Sequence, residues 1–276
     1  MGKGAAGGLL LLLALLFPAS ALPATGAPAC AVFLVPGAFG EGTSSRFLLP
    51  EDYFADYVRF FTDKGCLARK IEFPPDGTVE LRARLLRDQV EKHAPPRATV
   101  FLLGHSQGGL DARFALRANQ RSKLMPAIRA LATVGSPHAG TPVAGWAVAE
   151  REHPAAAYWF LKFLGYDLQQ LPFAGELTPE FLARHREEFA EVPGIRYGAA
   201  RAICRQGCHW ALRGLAWFAG VPPGDGMVGG ESQRFGEDLG EYDLDHLSEV
   251  NADGRRARER DRLLAAFWEF FRKDLH

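Results

Sequence analysis

Ser106 is the residue whose surroundings point most directly to chemistry. It stands between Gly104 and Gly108 in the pattern G-x-S-x-G. The pattern follows an apolar run at residues 98–103 and precedes a helical pattern at 109–119. A strand, a tight turn and a helix in this order lift a serine hydroxyl out of the end of a sheet, and the flanking glycines allow close packing around it. The sequence therefore predicts a serine nucleophile at position 106.

A serine hydroxyl needs a histidine base, and the histidine needs a carboxylate that orients it. Of the eight histidines, His246 fits best because it lies late in the chain, in a predicted loop before the last helix. For the acid we choose Asp225, which lies between two glycines in a predicted turn. Asp243 and Asp245 are alternatives, but they are too close to His246 along the chain to hold its ring from behind easily.

Two backbone N–H groups would have to stabilise the negative oxygen that forms during attack on a carbonyl. One is expected from Gln107, which follows the nucleophile. The other is expected from Ala38, in the glycine-containing loop after the first predicted strand.

Near-continuous apolar strands alternate with helical patterns, which predicts an α/β fold with a mostly parallel sheet and helices on both faces. At 276 residues and 47% hydrophobic content, residues 22–276 are expected to form one domain. Strands are predicted at 31–35, 67–73, 98–103, 128–134 and 195–199. Helices are predicted at 53–62, 78–93, 109–119 and 258–273.

Residues 142–185 carry many aromatic and leucine side chains after a predicted strand. This pattern fits a helical cap inserted into the domain, which would line an apolar acyl-binding cleft. An ordinary pair of core helices fits it equally well.

The amino terminus has the pattern of a secretory signal peptide at residues 1–21. Lys3 precedes an apolar segment at 9–17, and Ala19-Ser20-Ala21 fits a cleavage site after Ala21. A retained membrane anchor is the alternative. We therefore expect a secreted or periplasmic protein.

Four cysteines remain after such a cleavage, which suggests two disulfides in an exported protein. Cys30 and Cys66 each precede a predicted strand and could bridge if the strands are parallel neighbours. Cys204 and Cys208 are one helical turn apart and could close a small loop. Three pairings are possible, and sequence alone does not choose among them.

The formal net charge is zero, so nothing predicts a nucleic-acid partner. We expect no cofactor and no metal; the cysteine spacing does not suggest zinc, because only His209 is near enough to be a further ligand.

With these residues in place, the chain resembles the secreted triacylglycerol lipases of the Pseudomonas and Burkholderia type, which have the α/β-hydrolase fold. The resemblance runs from about residue 31 to 251. It implies Ser106, Asp225 and His246 as the catalytic triad and Ala38 and Gln107 as oxyanion donors. Its strongest stretches are residues 32–40, 104–115, 133–141 (TVGSPHAGT), 177–197 and 224–251, the last containing GDGMVGGESQRFGE and DHLSEVN.

The chain departs from this family at several positions. Pro36 replaces the usual histidine before the oxyanion glycine, and Ser248 and Ala252 stand where calcium ligands are found, so we expect no calcium site. No cysteine follows Asp225, and residues 201–221 are unlike the family. Some members need a dedicated foldase, which is a possible partner here.

The resulting hypothesis is an exported serine hydrolase that cleaves carboxylic esters through an acyl-enzyme, with lipids at an interface as the expected substrates. A short-chain carboxylesterase or an acyltransferase using the same triad is the nearest alternative. A catalytically inactive binding module on the same fold is an alternative of a different class. The sequence leaves the oligomeric state open.

Overall fold

The computed structural model describes residues 28–38, 53–74, 77–120, 127–152, 172–250 and 256–275. Within these residues, six parallel strands form one sheet in the order β2-β1-β3-β4-β5-β6. The strands are β1 (Cys30–Val35), β2 (Leu67–Lys70), β3 (Thr99–His105), β4 (Ile128–Val134), β5 (Arg196–Ala202) and β6 (Glu237–Tyr242).

Helices follow or precede most strands. They are α1 (Ala55–Asp63), α2 (Val79–His93), α3 (Gln107–Ala118), α4 (Pro142–Glu152), α5 (Pro179–Arg184), α6 (Trp210–Ala219) and α7 (Ala257–Phe271). Short 3₁₀ helices occupy Pro172–Leu177, Arg186–Phe189 and Arg272–Asp274. Thr78 caps α2 by accepting a hydrogen bond from the Leu81 N–H, as its position before the helical pattern indicates.

Alternation along β1 shows how the sheet acquires a core on each face. Val32 and Leu34 pack on one face with side chains of α1 and α7, whereas Phe33 packs on the other face with side chains of α2 and α3. Successive side chains of a strand point to opposite faces. A central strand covered on both sides must therefore be apolar throughout, as CAVFLV is.

The fold class predicted from the sequence, an α/β-hydrolase-type parallel sheet with helices on both faces, is confirmed. All five predicted strands form, with ends shifted by a few residues, and α3 begins at Gln107 rather than at 109. β6 (EDLGEY) is missing from the sequence-based prediction. It is an edge strand with mostly exposed or half-buried residues, and such strands carry charges instead of an apolar run.

The strand order places a crevice at one end of the sheet. The chain adds β2 on one side of β1 and then adds β3 on the other side. Between β1 and β3 the connections leave in opposite directions, which opens a ligand crevice at the carboxyl ends of these strands. Ala38 follows β1 and Ser106 follows β3, so both flank this crevice.

Two disulfides join Cys30 to Cys66 and Cys204 to Cys208. The first pair bridges because β1 and β2 are parallel neighbours whose starts lie side by side. The second closes the loop before α6. The predicted signal peptide lies outside the described residues, and none of the described helices has the length and apolar character needed to cross a membrane.

The proposed cap segment is described only at its two ends. α4 and residues 172–189 pack together over α3, where Leu110 and Phe173 belong to one apolar cluster. Residues 153–171, which hold most of the aromatic side chains of this segment, lie outside the described residues. The cap therefore stays a prediction.

Candidate active site

Ser106 occupies a sharp turn between β3 and α3. Its φ of 55° and ψ of −132° are unusual for a residue with a side chain. The turn requires glycine nearby: a Cβ on Gly108 would lie 2.1 Å from the Val35 carbonyl oxygen, and one on Gly104 would lie 2.6 Å from the Gly109 backbone. The spacing G-x-S-x-G is thus a packing requirement of the turn that presents the Ser106 hydroxyl.

His246 lies in the loop after β6, opposite Ser106. Its Nε2 is 3.0 Å from the Ser106 Oγ, and its Nδ1 is 3.0 Å from Oδ2 of Asp225. A carboxylate only accepts hydrogen bonds, so the Nδ1–H donates to Asp225 and Nε2 is left to accept from the serine hydroxyl. This tautomer is the one that a general base acting on Ser106 needs.

Asp225 is buried in a tight turn whose backbone fixes its carboxylate. Oδ1 accepts hydrogen bonds from the N–H groups of Met227 and Val228, both at 2.7 Å. Gln233 donates to Oδ2 at 3.3 Å. The Asp225 carbonyl also accepts from the His246 N–H at 3.0 Å. Acid and base are therefore held together by backbone as well as by side chains.

The two alternative carboxylates have other partners. Asp243 accepts from the Arg205 N–H and pairs with Arg256 at 2.7 Å. Asp245 accepts from the backbone N–H groups of His209 and Ser248. Of the three candidate acids, the structure brings Asp225 to the His246 ring.

The loop after β1 runs directly against the serine. A Cβ on Gly37 would lie 2.6 Å from the Ser106 Cβ, which places the following residue, Ala38, beside the hydroxyl. Gln107 begins α3 at the first position of the helix, where backbone N–H groups lack a partner within the helix. Both residues predicted as oxyanion donors thus flank Ser106.

Arg82 holds the Ala38 loop from beneath. It is buried, donates through Nη2 to the carbonyls of Pro36 at 2.5 Å and Gly37 at 3.2 Å, and pairs through Nε with Asp111 at 2.7 Å. Burial raises the pKa of Asp111 to about 7, an effect that Arg82 opposes. The Gly37 carbonyl belongs to the same peptide as the Ala38 N–H, so Arg82 fixes the direction of that N–H.

A second buried group of side chains lies behind the site, and the sequence analysis did not assign it. The Tyr53 hydroxyl accepts from the Gly37 N–H at 2.9 Å and lies 2.5 Å from His105 Nδ1. His105 Nε2 lies 3.0 Å from Oε2 of Glu249. Burial and the neighbouring His246 hold the pKa of His105 well below its ordinary value, so His105 is neutral. This group links the Ala38 loop to the interior behind His246.

Glu249 is fully buried, and neither of its carboxyl oxygens has hydrogen-bond geometry to a partner among the described residues. Burial raises its pKa well above the ordinary value, and the nearby Asp225 and Asp245 raise it further. Gly135, with φ of 58°, leaves room for it, since a Cβ there would lie 2.1 Å from Oε2. The signal in the sequence was a glutamate three residues after His246.

His105, His246 and Glu249 are also close enough together to suggest a metal site among the described residues. Both ring nitrogens of His246 are already engaged by Ser106 and Asp225. The cluster therefore fits the serine–histidine arrangement better than a metal ion.

Comparisons with known proteins agree with this fold. Residues 75–172 match the family model of the PGAP1-like alpha/beta domain, a stretch that includes Ser106 and ends before Asp225. A relative, triacylglycerol lipase 2 of Saccharomyces cerevisiae, is 27% identical over 222 residues, which are 74% of this chain. The chain spans 64% of the length of that yeast relative.

Solved structures of lipases and esterases share the architecture. A metagenomic carboxyl esterase superposes with a TM-score of 0.70 at 19% identity, covering 91% of this chain and 77% of its own. The Bacillus licheniformis lipase BlEst2 gives a TM-score of 0.63 at 21% identity, covering 88% of this chain and 92% of its own. Staphylococcus hyicus lipase gives 0.62 at 13% identity, covering 89% and 96%. The chain therefore has the α/β-hydrolase fold.

Proposed function

We propose that this protein is a serine hydrolase that cleaves carboxylic esters of lipids, and that triacylglycerols are its substrates. The observation that carries the proposal is the continuous chain from Ser106 Oγ through His246 to Asp225, with two contacts of 3.0 Å. Two further features support it: the loop that carries Ala38 packs against Ser106 while Gln107 begins α3, and a triacylglycerol lipase is among the relatives. The narrower resemblance to the Pseudomonas and Burkholderia lipases stays part of the proposal.

The proposed reaction follows from the geometry. Ser106 Oγ attacks the ester carbonyl carbon while His246 Nε2 takes the hydroxyl proton. The carbonyl oxygen becomes negative and accepts hydrogen bonds from the N–H groups of Ala38 and Gln107. His246 then gives its proton to the departing alcohol, which leaves an acyl group on Ser106. Water activated by His246 hydrolyses this acyl-enzyme, and Asp225 stabilises the charged imidazole in both steps.

Export is the second part of the proposal. It is supported by the signal-peptide pattern of residues 1–21 and by the two disulfides, which persist in oxidising compartments. A dedicated foldase stays a possible partner, to be tested by comparing refolding of the isolated chain with the yield from secretion.

The test compares the mature protein with Ser106→Ala on p-nitrophenyl butyrate and on emulsified long-chain triacylglycerol. We expect turnover on both to fall by about 10³-fold or more in the variant, and fluorophosphonate labelling to disappear. Ser232→Ala, which removes a half-buried hydroxyl elsewhere, is the control and should retain both.

The other possible results of this test point to different functions or refute the assignment. Hydrolysis of the short ester alone would make the protein a carboxylesterase, and transfer to an added alcohol would make it an acyltransferase. Full activity in Ser106→Ala would refute the assignment. A folded protein with neither activity nor labelling would be a binding module.

A further inference from the structure

Helix α6 presents an aromatic surface on the side where a surface helix is normally polar. Trp210, Trp217 and Phe218 are 63%, 78% and 55% exposed, and they are the large hydrophobic residues most exposed to solvent in the described part of the chain. At 100° per residue, Trp210, Trp217 and Phe218 share the half of the helix opposite the buried Leu212. A surface helix that carries large aromatic side chains on its outer side as well as a buried apolar side is expected to be covered there.

An exposed arginine, Arg213, lies on this aromatic face. Residues 203–224 contain no aspartate or glutamate and include Arg205 and Arg213, although the chain as a whole is neutral. Arg205 pairs with Glu241, whereas Arg213 is exposed on the same outer side of α6 as Trp217. Tryptophan and phenylalanine beside arginine on an exposed helix are typical of a surface that lies in the headgroup region of a lipid layer.

The helix is fastened to both loops that carry the partners of Ser106. His209, which caps the start of α6, donates its backbone N–H to Asp245, the neighbour of His246, at 2.9 Å. Leu212 lies against Gly226, the neighbour of Asp225, since a Cβ on Gly226 would be 2.9 Å from the Leu212 Cβ. The disulfide between Cys204 and Cys208 closes the loop that leads into the helix.

We propose that the outer face of α6, formed by Trp210, Arg213, Trp217 and Phe218, docks on a lipid surface and holds the site against it. The proposal rests on the proposed lipid-ester hydrolysis. It adds the surface that meets the lipid, which is the outer side of a helix whose start and inner side contact Asp245 and Gly226, the neighbours of His246 and Asp225. A lipid layer fits better than a protein partner because the face combines aromatic residues typical of a lipid interface with the exposed Arg213, on a helix that contacts the loops of the proposed site of lipid cleavage.

The experiment measures flotation of the full chain carrying Ser106→Ala with vesicles of phosphatidylcholine, with and without phosphatidylglycerol. We expect binding to both, stronger with phosphatidylglycerol, and a shift of tryptophan fluorescence to shorter wavelength. Adding Trp217→Ser and Phe218→Ser should lower the partition coefficient by about tenfold or more, because their apolar area no longer leaves water. Glu269→Ser with Arg272→Ser, two exposed residues at the end of α7 and just after it, is the control and should bind like the parent.

Activity separates this proposal from the proposed function. In the otherwise unchanged protein, Trp217→Ser with Phe218→Ser should leave hydrolysis of dissolved p-nitrophenyl butyrate unaltered and reduce hydrolysis of emulsified lipid. If the Ser106 assignment fails, activity on the dissolved ester survives in Ser106→Ala, whatever the vesicles show.

Two results would overturn the docking proposal. One is flotation that is absent in the parent or equal in the aromatic variant. The other is a dimer, detected by sedimentation, that dissociates when Trp217 and Phe218 are replaced while vesicles are not bound. The second result would assign the face to a contact between two copies of the chain.

Discussion

Replacing Glu249 with glutamine should change how the stability of the protein depends on pH. Burial beside Asp225 and Asp245 raises the pKa of Glu249 well above its ordinary value, so the folded protein holds a proton there that the unfolded chain releases. At a pH below the pKa that Glu249 has in the unfolded chain, the protonated carboxyl costs the folded protein no stability. As pH rises toward the pKa of the folded state, the free energy of unfolding decreases, because the folded protein keeps a proton that the unfolded chain releases. Glutamine has the same shape and no proton to lose.

The magnitude follows from proton linkage. With a pKa of about 4.3 in the unfolded chain, keeping this carboxyl protonated costs about 1.1 kcal/mol at pH 5 and about 3.7 kcal/mol at pH 7. The free energy of unfolding of Glu249→Gln, relative to the parent, should therefore rise by up to about 2.6 kcal/mol between these pH values. His105, whose pKa is lowered, has the opposite pH dependence and is present in both proteins.

The assay is urea unfolding followed by circular dichroism at pH 5 and pH 7, with the disulfides intact. Glu231→Gln, which removes an exposed carboxylate, controls for the loss of one negative charge. The measured quantity is the difference in free energy of unfolding between Glu249→Gln and the parent. If this difference changes by less than about 0.5 kcal/mol between pH 5 and pH 7, which is within the error of such extrapolations, Glu249 is ionised in the folded protein. The assignment of a proton to this site would then be wrong.

Three further predictions test the site. Asp225→Asn should lower turnover of p-nitrophenyl butyrate by roughly 10³- to 10⁴-fold with an unchanged circular dichroism spectrum, because the amide no longer fixes the base in the required tautomer; a loss below tenfold would point to another acid. Gly108→Ala should lower the free energy of unfolding in urea by more than about 3 kcal/mol, because the added Cβ would collide with backbone atoms. Gly145→Ala is the control: its added Cβ meets nothing within 4 Å, so it should stabilise α4 by up to about 1 kcal/mol. Arg82→Met should cost about 3–5 kcal/mol by leaving Asp111 buried without its partner, and adding Asp111→Asn should recover part of that loss; an additive double variant would contradict the pairing.

The elements that are apolar along their whole length could be predicted from the sequence. β1, β3 and β4, apart from the exposed Arg129 of β4, are covered on both faces, so their composition alone marks them. β6 could not be found in this way. It forms because β5 offers it an edge to pair with, and an edge strand with a solvent-facing side can be built from charged residues.

In the candidate site, too, some features follow from local sequence and others depend on the tertiary structure. The turn around Ser106 follows from local sequence, because its glycines are required by contacts with the next few residues and the neighbouring strand. The contacts of Asp225 depend on how β5, α6 and β6 are arranged. Asp243 and Asp245 also carry carboxylates, and in the structure these bind Arg256 and His209 instead of the His246 ring.

Sequence by itself determined the class of fold, the position of the serine turn and the presence of enough cysteines for two disulfides. These follow from short-range patterns: apolar runs, helical periodicity and glycine spacing. The tertiary structure decided which cysteines pair, which carboxylate meets His246, and that His105, Tyr53 and Glu249 form one buried group. Such contacts join residues far apart along the chain, for example 52 positions for Tyr53 and His105. The energies of these buried groups depend on what surrounds them in the folded protein, which no local pattern records.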